Sequence, residues 1–150
     1  MKFNQTVVIP AAREPLWAFL VDIPKVAKSL PGVEKIDRID DQTYEGTLKV
    51  RVGPIGLTLQ GKITVEEQDR EKWRAVLRAE ASDRMAAGAV RGKTVMELKE
   101  NGPNETELVV DSDVNILGKI GEFGQPIIRK KADGMLKDFV ENIKKQLVGS

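Results

Sequence analysis

The side chains able to do chemistry in this sequence are carboxylates, lysines, arginines, serines, threonines and one tyrosine, Tyr44, because its 150 residues include neither cysteine nor histidine. That composition removes disulfides, thiol nucleophiles, thiolate zinc sites, imidazole ligands and Ser-His or Cys-His pairs. Asp111 and Asp113 fall two apart on a predicted strand and so share a face, as paired carboxylates for metal binding or acid/base work would. The alternation makes that face the solvated one, and Asp37, Asp40 and Asp41 near a turn read the same way. Gly118, Gly121 and Gly124 repeat every third position, but the spacing is not Gly-x-Gly-x-x-Gly. No Lys-Ser/Thr follows them and a parallel βαβ context is missing, so they read as a mobile entrance where a strand turns into a helix. The expectation is a protein with no catalytic residue and no metal site.

The charge balance points the same way. A formal net charge of +1 supplies no overall field, which argues against a nucleic-acid partner. Arg129, Lys130, Lys131, Lys137, Lys144 and Lys145 make the last helix basic opposite an apolar face, a combination that can dock on an anionic membrane or a partner. Lys144 and Lys145 also complement the helix dipole. The apolar stretch from Thr6 to Ala12 meets Arg13 and Glu14 too early for a secretory signal, and no run approaches about 18 apolar residues. A cytoplasmic location is therefore expected, with peripheral contact at the inner face of the membrane.

The elements that must position these groups follow from periodicity. Lys2 to Ile9 is apolar and β-branched up to Pro10, a first strand. Pro15 opens a short helix through Leu16, Trp17, Phe19 and Leu20, and Asp22 before Pro24 caps a second one that Pro31-Gly32 stops. From Val33 to Ile116 the period is two, as in Leu57, Leu59, Gly61, Ile63, Val65 and in Trp73, Ala75, Leu77, Ala79, Ala81, with hairpin signals between the runs. From Ile120 to Leu147 apolar residues recur at three- and four-residue steps, one long helix. With no linker, repeat or low-complexity tract, a single α+β domain over residues 1–150 is expected, a curved antiparallel sheet wrapped around the C-terminal helix.

This order of elements resembles the Bet v 1/START-like helix-grip superfamily. The run from Ile23 to Glu34 with its Leu30-Pro31-Gly32, the Tyr44-Glu45-Gly46 segment, Lys49 to Ile55 with its Val52-Gly53-Pro54-Ile55, and Asp113 to Gly118 with Phe123-Gly124 are similar to the CoxG-like family of carbon monoxide dehydrogenase over nearly the whole chain. The resemblance implies an accessory protein of molybdenum hydroxylases, engaged in membrane attachment or in handling a lipophilic molecule such as a quinone. Longer members carry a hydrophobic tail past the final helix, whereas this sequence ends at Ser150, so a carrier without a permanent anchor is expected.

The small residues Gly46, Gly61, Ala75, Ala79, Ala81 and Gly92 on apolar faces leave room where a packed core would use larger side chains. The expected cavity is lined by Leu30, Tyr44, Leu48, Val50, Leu77, Ala79, Met85 and Met96 from the body of the chain. The helix side offers Phe123, Ile127, Ile128, Lys131, Met135 and Phe139. The methionines are pliable walls for a ligand of imprecise shape, and Tyr44, Ser82, Arg84 and Lys131 are the polar contacts available to orient a carbonyl or head group. No required cofactor is expected, and the resemblance implies a quinone or lipid as cargo. Two other readings remain open, a small START-like enzyme using Tyr44 or a buried carboxylate and an adaptor that carries nothing.

Overall fold

A computed structural model describes residues 1–85 and 87–147; the end of the chain at Ser150 lies outside the described residues. The alternating segments form seven strands, β1 (Lys2–Ile9), β2 (Val33–Arg38), β3 (Thr43–Val52), β4 (Ile55–Asp69), β5 (Arg74–Asp83), β6 (Gly88–Gly102) and β7 (Glu105–Gly118). Helices α1 (Arg13–Leu20) and α2 (Ile23–Lys28) follow β1, and α3 (Gln125–Leu147) closes the described chain. The strands pair antiparallel in one sheet of order β1-β7-β6-β5-β4-β3-β2. This is the helix-grip arrangement expected from the sequence, with β1 and β2 at the two edges.

Three apolar clusters hold the sheet to the helices. Ile9, Leu16, Leu20, Leu98, Leu108, Phe139, Val140 and Ile143 join α1, β1, β6, β7 and the C-terminal half of α3. Val52, Leu57, Leu59 and Ile120 close the opposite end, and Ile23, Tyr44 and Val65 pack α2 on β3 and β4. Asp22 caps α2 by accepting the Lys25 N–H. Buried Thr106 donates to the Ala11 carbonyl at 2.8 Å, and Asn142 on α3 donates to the Ser29 carbonyl, fixing the helices at that end.

Three sequence expectations are corrected. The long helix does not start at Ile120: Lys119–Phe123 form a separate 3-10 turn, and Gly124, at a φ of 82°, breaks the chain before α3. Trp73 does not begin β5; it sits in the preceding turn at a φ of 53°, a strained region for an aromatic residue. The strain is held by packing, since the guanidinium carbons of Arg13 and Arg70 lie 4.1 and 3.5 Å from its ring and Trp17 meets it edge-on. Gly61, finally, does not leave a void. A Cβ there would fall 2.7 Å from both the Ala81 Cβ and the Glu80 carbonyl, and at Gly46 it would fall 2.6 Å from the Lys35 carbonyl. These glycines let adjacent strands approach closely.

Candidate functional site

The register sets out the concave face in rungs. Ile63, Ala79, Gly92 and Val114 lie side by side across β4, β5, β6 and β7, and Val65, Leu77, Thr94 and Ser112 form the next rung. Ala79 is on β5, the central strand of seven, yet it is exposed, and Ile63, Leu77, Thr94, Ser112 and Val114 are half-buried. Central apolar residues on the inner side of a sheet are covered when a helix packs on them. Here the helix does not: the buried residues of α3 are Phe139, Val140 and Ile143, all in its C-terminal half. Ile128, Lys131 and Met135 are half-buried, Ile127 is 45% exposed, and none of the four joins the three clusters. The N-terminal half of α3 and the middle of the sheet thus border an inner apolar region that is only partly covered, called the chamber below.

One side of this chamber is laced. Gln5 on β1 donates to the Asp133 carboxylate on α3 at 2.9 Å, and Arg129 donates to the Lys2 carbonyl at 2.8 Å with its guanidinium over the Phe3 ring. Within the wall the Thr94 and Ser112 hydroxyls form a hydrogen bond of 3.0 Å. That pair, with Ile63 and Val114, belongs to the chamber and was not singled out from the sequence; the signal was the hydroxyl residues at inward positions of two alternating strands.

The expected wall residues divide. Ala79, Ile127, Ile128, Lys131 and Met135 lie in the chamber region, and Leu48, Val50, Leu77, Met96 and Phe123 border it while packing against the clusters. Tyr44 and Phe139 are buried within clusters, and Leu30 packs against one, so all three are framework. Met85 is displaced altogether: it is 85% exposed on the turn after β5. The cause is Asp83, whose carboxylate accepts the N–H groups of Thr58, Met85 and Ala87 at 2.9 to 3.1 Å and shapes the turn with the Met85 side chain outward. Those bonds, from Ala87 first and then Thr58, hold the Asp83 carboxyl below its ordinary range against the opposing effect of burial.

The basic residues of α3 do not form one uniform surface. Arg129 is engaged with β1 and Lys144 pairs with Glu141 at 3.3 Å, while Lys130, Lys137 and Lys145 are exposed. Asp111 and Asp113 are exposed on the outer face, Asp111 accepting from Asn4. A separate outer cleft of about 580 Å³ is polar, with Lys35, Asp37, Glu45, Lys62, Glu80 and Arg91 among its walls, and lies across the sheet from the chamber. Among the described residues no helix is long and apolar enough to cross a membrane.

The comparisons agree on the fold. A conserved protein from Geobacillus kaustophilus superposes with a TM-score of 0.90 at 19% identity, covering 99% of this chain and 95% of that one. A START superfamily protein from Mycobacterium smegmatis gives 0.70 at 14%, with 97% and 96% covered, and the Zhui aromatase/cyclase from Streptomyces sp. R1128 gives 0.67 at 15%, with 97% and 94% covered. At these identities the likeness shows the fold, which is START/Bet v 1-like. None of the curated proteins matches the chain by sequence. The profile of one family does match, over residues 6–148 and so from β1 through the whole of α3, and on that ground the chain belongs to the carbon monoxide dehydrogenase CoxG family.

Proposed function

We propose that this protein binds and carries a hydrophobic molecule, a quinone or another lipid, without a reaction of its own, as an accessory to a molybdenum hydroxylase such as carbon monoxide dehydrogenase that helps couple the enzyme to the membrane. The observation that supports this most is the exposed Ala79 on the central strand, together with a helix half in which no residue is fully buried. Apolar area left open to water forgoes about 25 cal/mol per Å², so a ligand that fills the chamber gains what folding left unused. The family assignment supports the enzyme partner. Organic extraction of the purified protein followed by mass spectrometry, together with titration by a short-chain quinone analogue, tests the reading. A co-purifying quinone or lipid, or saturable binding, is the expected result; a protein that is empty and binds nothing is an adaptor.

One observation favours a second reading: the fold is shared with a protein described as an aromatase/cyclase. Turnover of a polyketide-like substrate that disappears in Tyr44→Phe would establish it in place of the carrier.

A further inference from the structure

The antiparallel order brings three connections to one end of the sheet: the β3–β4 turn at Gly53 and Pro54, the turn after β5 with Arg84 and Met85, and the link from β7 to α3. They touch one another. Lys119 donates its N–H to the Ala87 carbonyl at 2.8 Å, and the Phe123 ring lies 3.4 Å from where a Gly53 Cβ would be. Large apolar side chains exposed among the described residues are Val8, Ile39, Met85, Leu117 and Ile127, and the last three belong to this rim, at 85%, 50% and 45% exposure.

The charges there are one-sided. Residues 51–56, 84–87 and 117–131 carry the cations Arg51, Arg84, Lys119, Arg129, Lys130 and Lys131 against one anion, Glu122, which leaves eighteen cations and twenty-two anions for the rest of the chain. Among the described residues no carboxylate lies within 4.0 Å of any of the six, as is also so for Lys2, Lys62, Arg91 and Lys99, whereas Lys35, Lys49, Arg74, Arg78 and Lys93 on the strands are paired. Outside this rim the protein is net acidic; the rim is basic and greasy.

We infer that this rim, with the first turns of α3 and not the polar face of its C-terminal half, is the surface that docks on an anionic lipid bilayer, with Met85, Leu117 and Ile127 entering the headgroup boundary and the surrounding cations meeting lipid phosphates. Apolar tips set among unpaired cations match an interface that is apolar in depth and anionic at its surface, and each cation near such a surface adds to the attraction. The rim also adjoins the N-terminal half of α3, the half with no fully buried residue, so docking there presents that end of the chamber to the membrane. The purpose of docking rests on the carrier reading; the docking itself does not.

Vesicle flotation tests it, using phosphatidylcholine alone and phosphatidylcholine with about one third phosphatidylglycerol. The parent protein should float with the anionic vesicles at low salt and be released as salt screens the charges. The double variant Met85→Ser, Leu117→Ser, at exposed positions that leave the fold intact, should bind at least about tenfold more weakly, as should Lys119→Glu, Lys130→Glu. Ile39→Ser at the far end and Lys137→Glu, Lys145→Glu on α3 should change binding less than about threefold. Absence of flotation by the parent, rim variants that float as well as the parent, or abolition of flotation by the α3 variant alone would overturn the inference. Titration with a water-soluble quinone analogue separates the two ideas. Docking without quinone binding rejects the carrier and keeps the rim, and quinone binding without docking does the reverse.

Discussion

Thr94 and Ser112, on adjacent strands, form a 3.0 Å hydroxyl-hydroxyl bond on a wall whose neighbouring rung is Ile63, Ala79, Gly92 and Val114. Two hydroxyls bring two protons, and their mutual bond uses one, leaving the other free to donate. In an apolar chamber that proton is a site for a ligand carbonyl. Thr94→Val and Ser112→Ala should each weaken binding of a quinone analogue by roughly three- to tenfold, the range of one neutral hydrogen bond at about 0.5 to 1.5 kcal/mol. Calorimetric titration checks this, and equal affinities in parent and variants would remove the pair from recognition.

Ala79→Phe distinguishes a chamber from a packed core. Forcing a phenyl ring into a filled interior costs about 1 to 3 kcal/mol. Because Ala79 is exposed beneath the unpacked half of α3, the melting temperature should stay within a few degrees of the parent or rise. Affinity for a hydrophobic probe should meanwhile fall about tenfold or more, since the ring takes the space the probe needs. A large loss of stability in thermal melts would mean that the region is already full.

Two glycines should respond in opposite directions to alanine. At Gly61 the new methyl meets the Ala81 Cβ and the Glu80 carbonyl at 2.7 Å, contacts that backbone movement alone can relieve, and a loss of about 1 to 3 kcal/mol is expected. At Gly134, inside α3, a Cβ meets nothing within 4 Å, and the gain in helix propensity should be about 0.5 to 1 kcal/mol. Urea denaturation of both variants measures the pair, and a stabilising Gly61→Ala would refute the close-approach account.

Acid stability should carry the signature of Asp83. Its carboxyl is held below the ordinary value of 3.8 by the N–H groups of Ala87 and Thr58, so its contribution is present above that value and is lost as pH falls through the depressed folded-state value. Asp83→Asn should therefore be less stable than the parent at neutral pH, and the two stability curves should converge below about pH 4. Denaturant midpoints between neutrality and acid read this directly. Parallel curves would show that the carboxylate charge is immaterial to the turn.

Period-two runs with hairpin signals between them, and a three- and four-residue period after Gly118, were enough to place strands, helices and the helix-grip order from residues alone, because burial of one face imposes its periodicity on any sequence that folds this way. The same local patterns set which residues face inward, and the inward side of Ala79 on its strand was legible for that reason. What alternation leaves open is which rung meets which. The meeting of Thr94 with Ser112, the contact that makes Gly61 a close approach instead of a void, and the outward turn of Met85 all depend on register and on distant partners such as Asp83 and Ala81. That α3 is fully buried only in its C-terminal half, while its N-terminal half is tied to β1 by polar contacts, was likewise a tertiary outcome. Its apolar residues recur along the whole helix, and the sheet, through Leu98, Leu108 and Ile9, supplies close-packed partners at one end only.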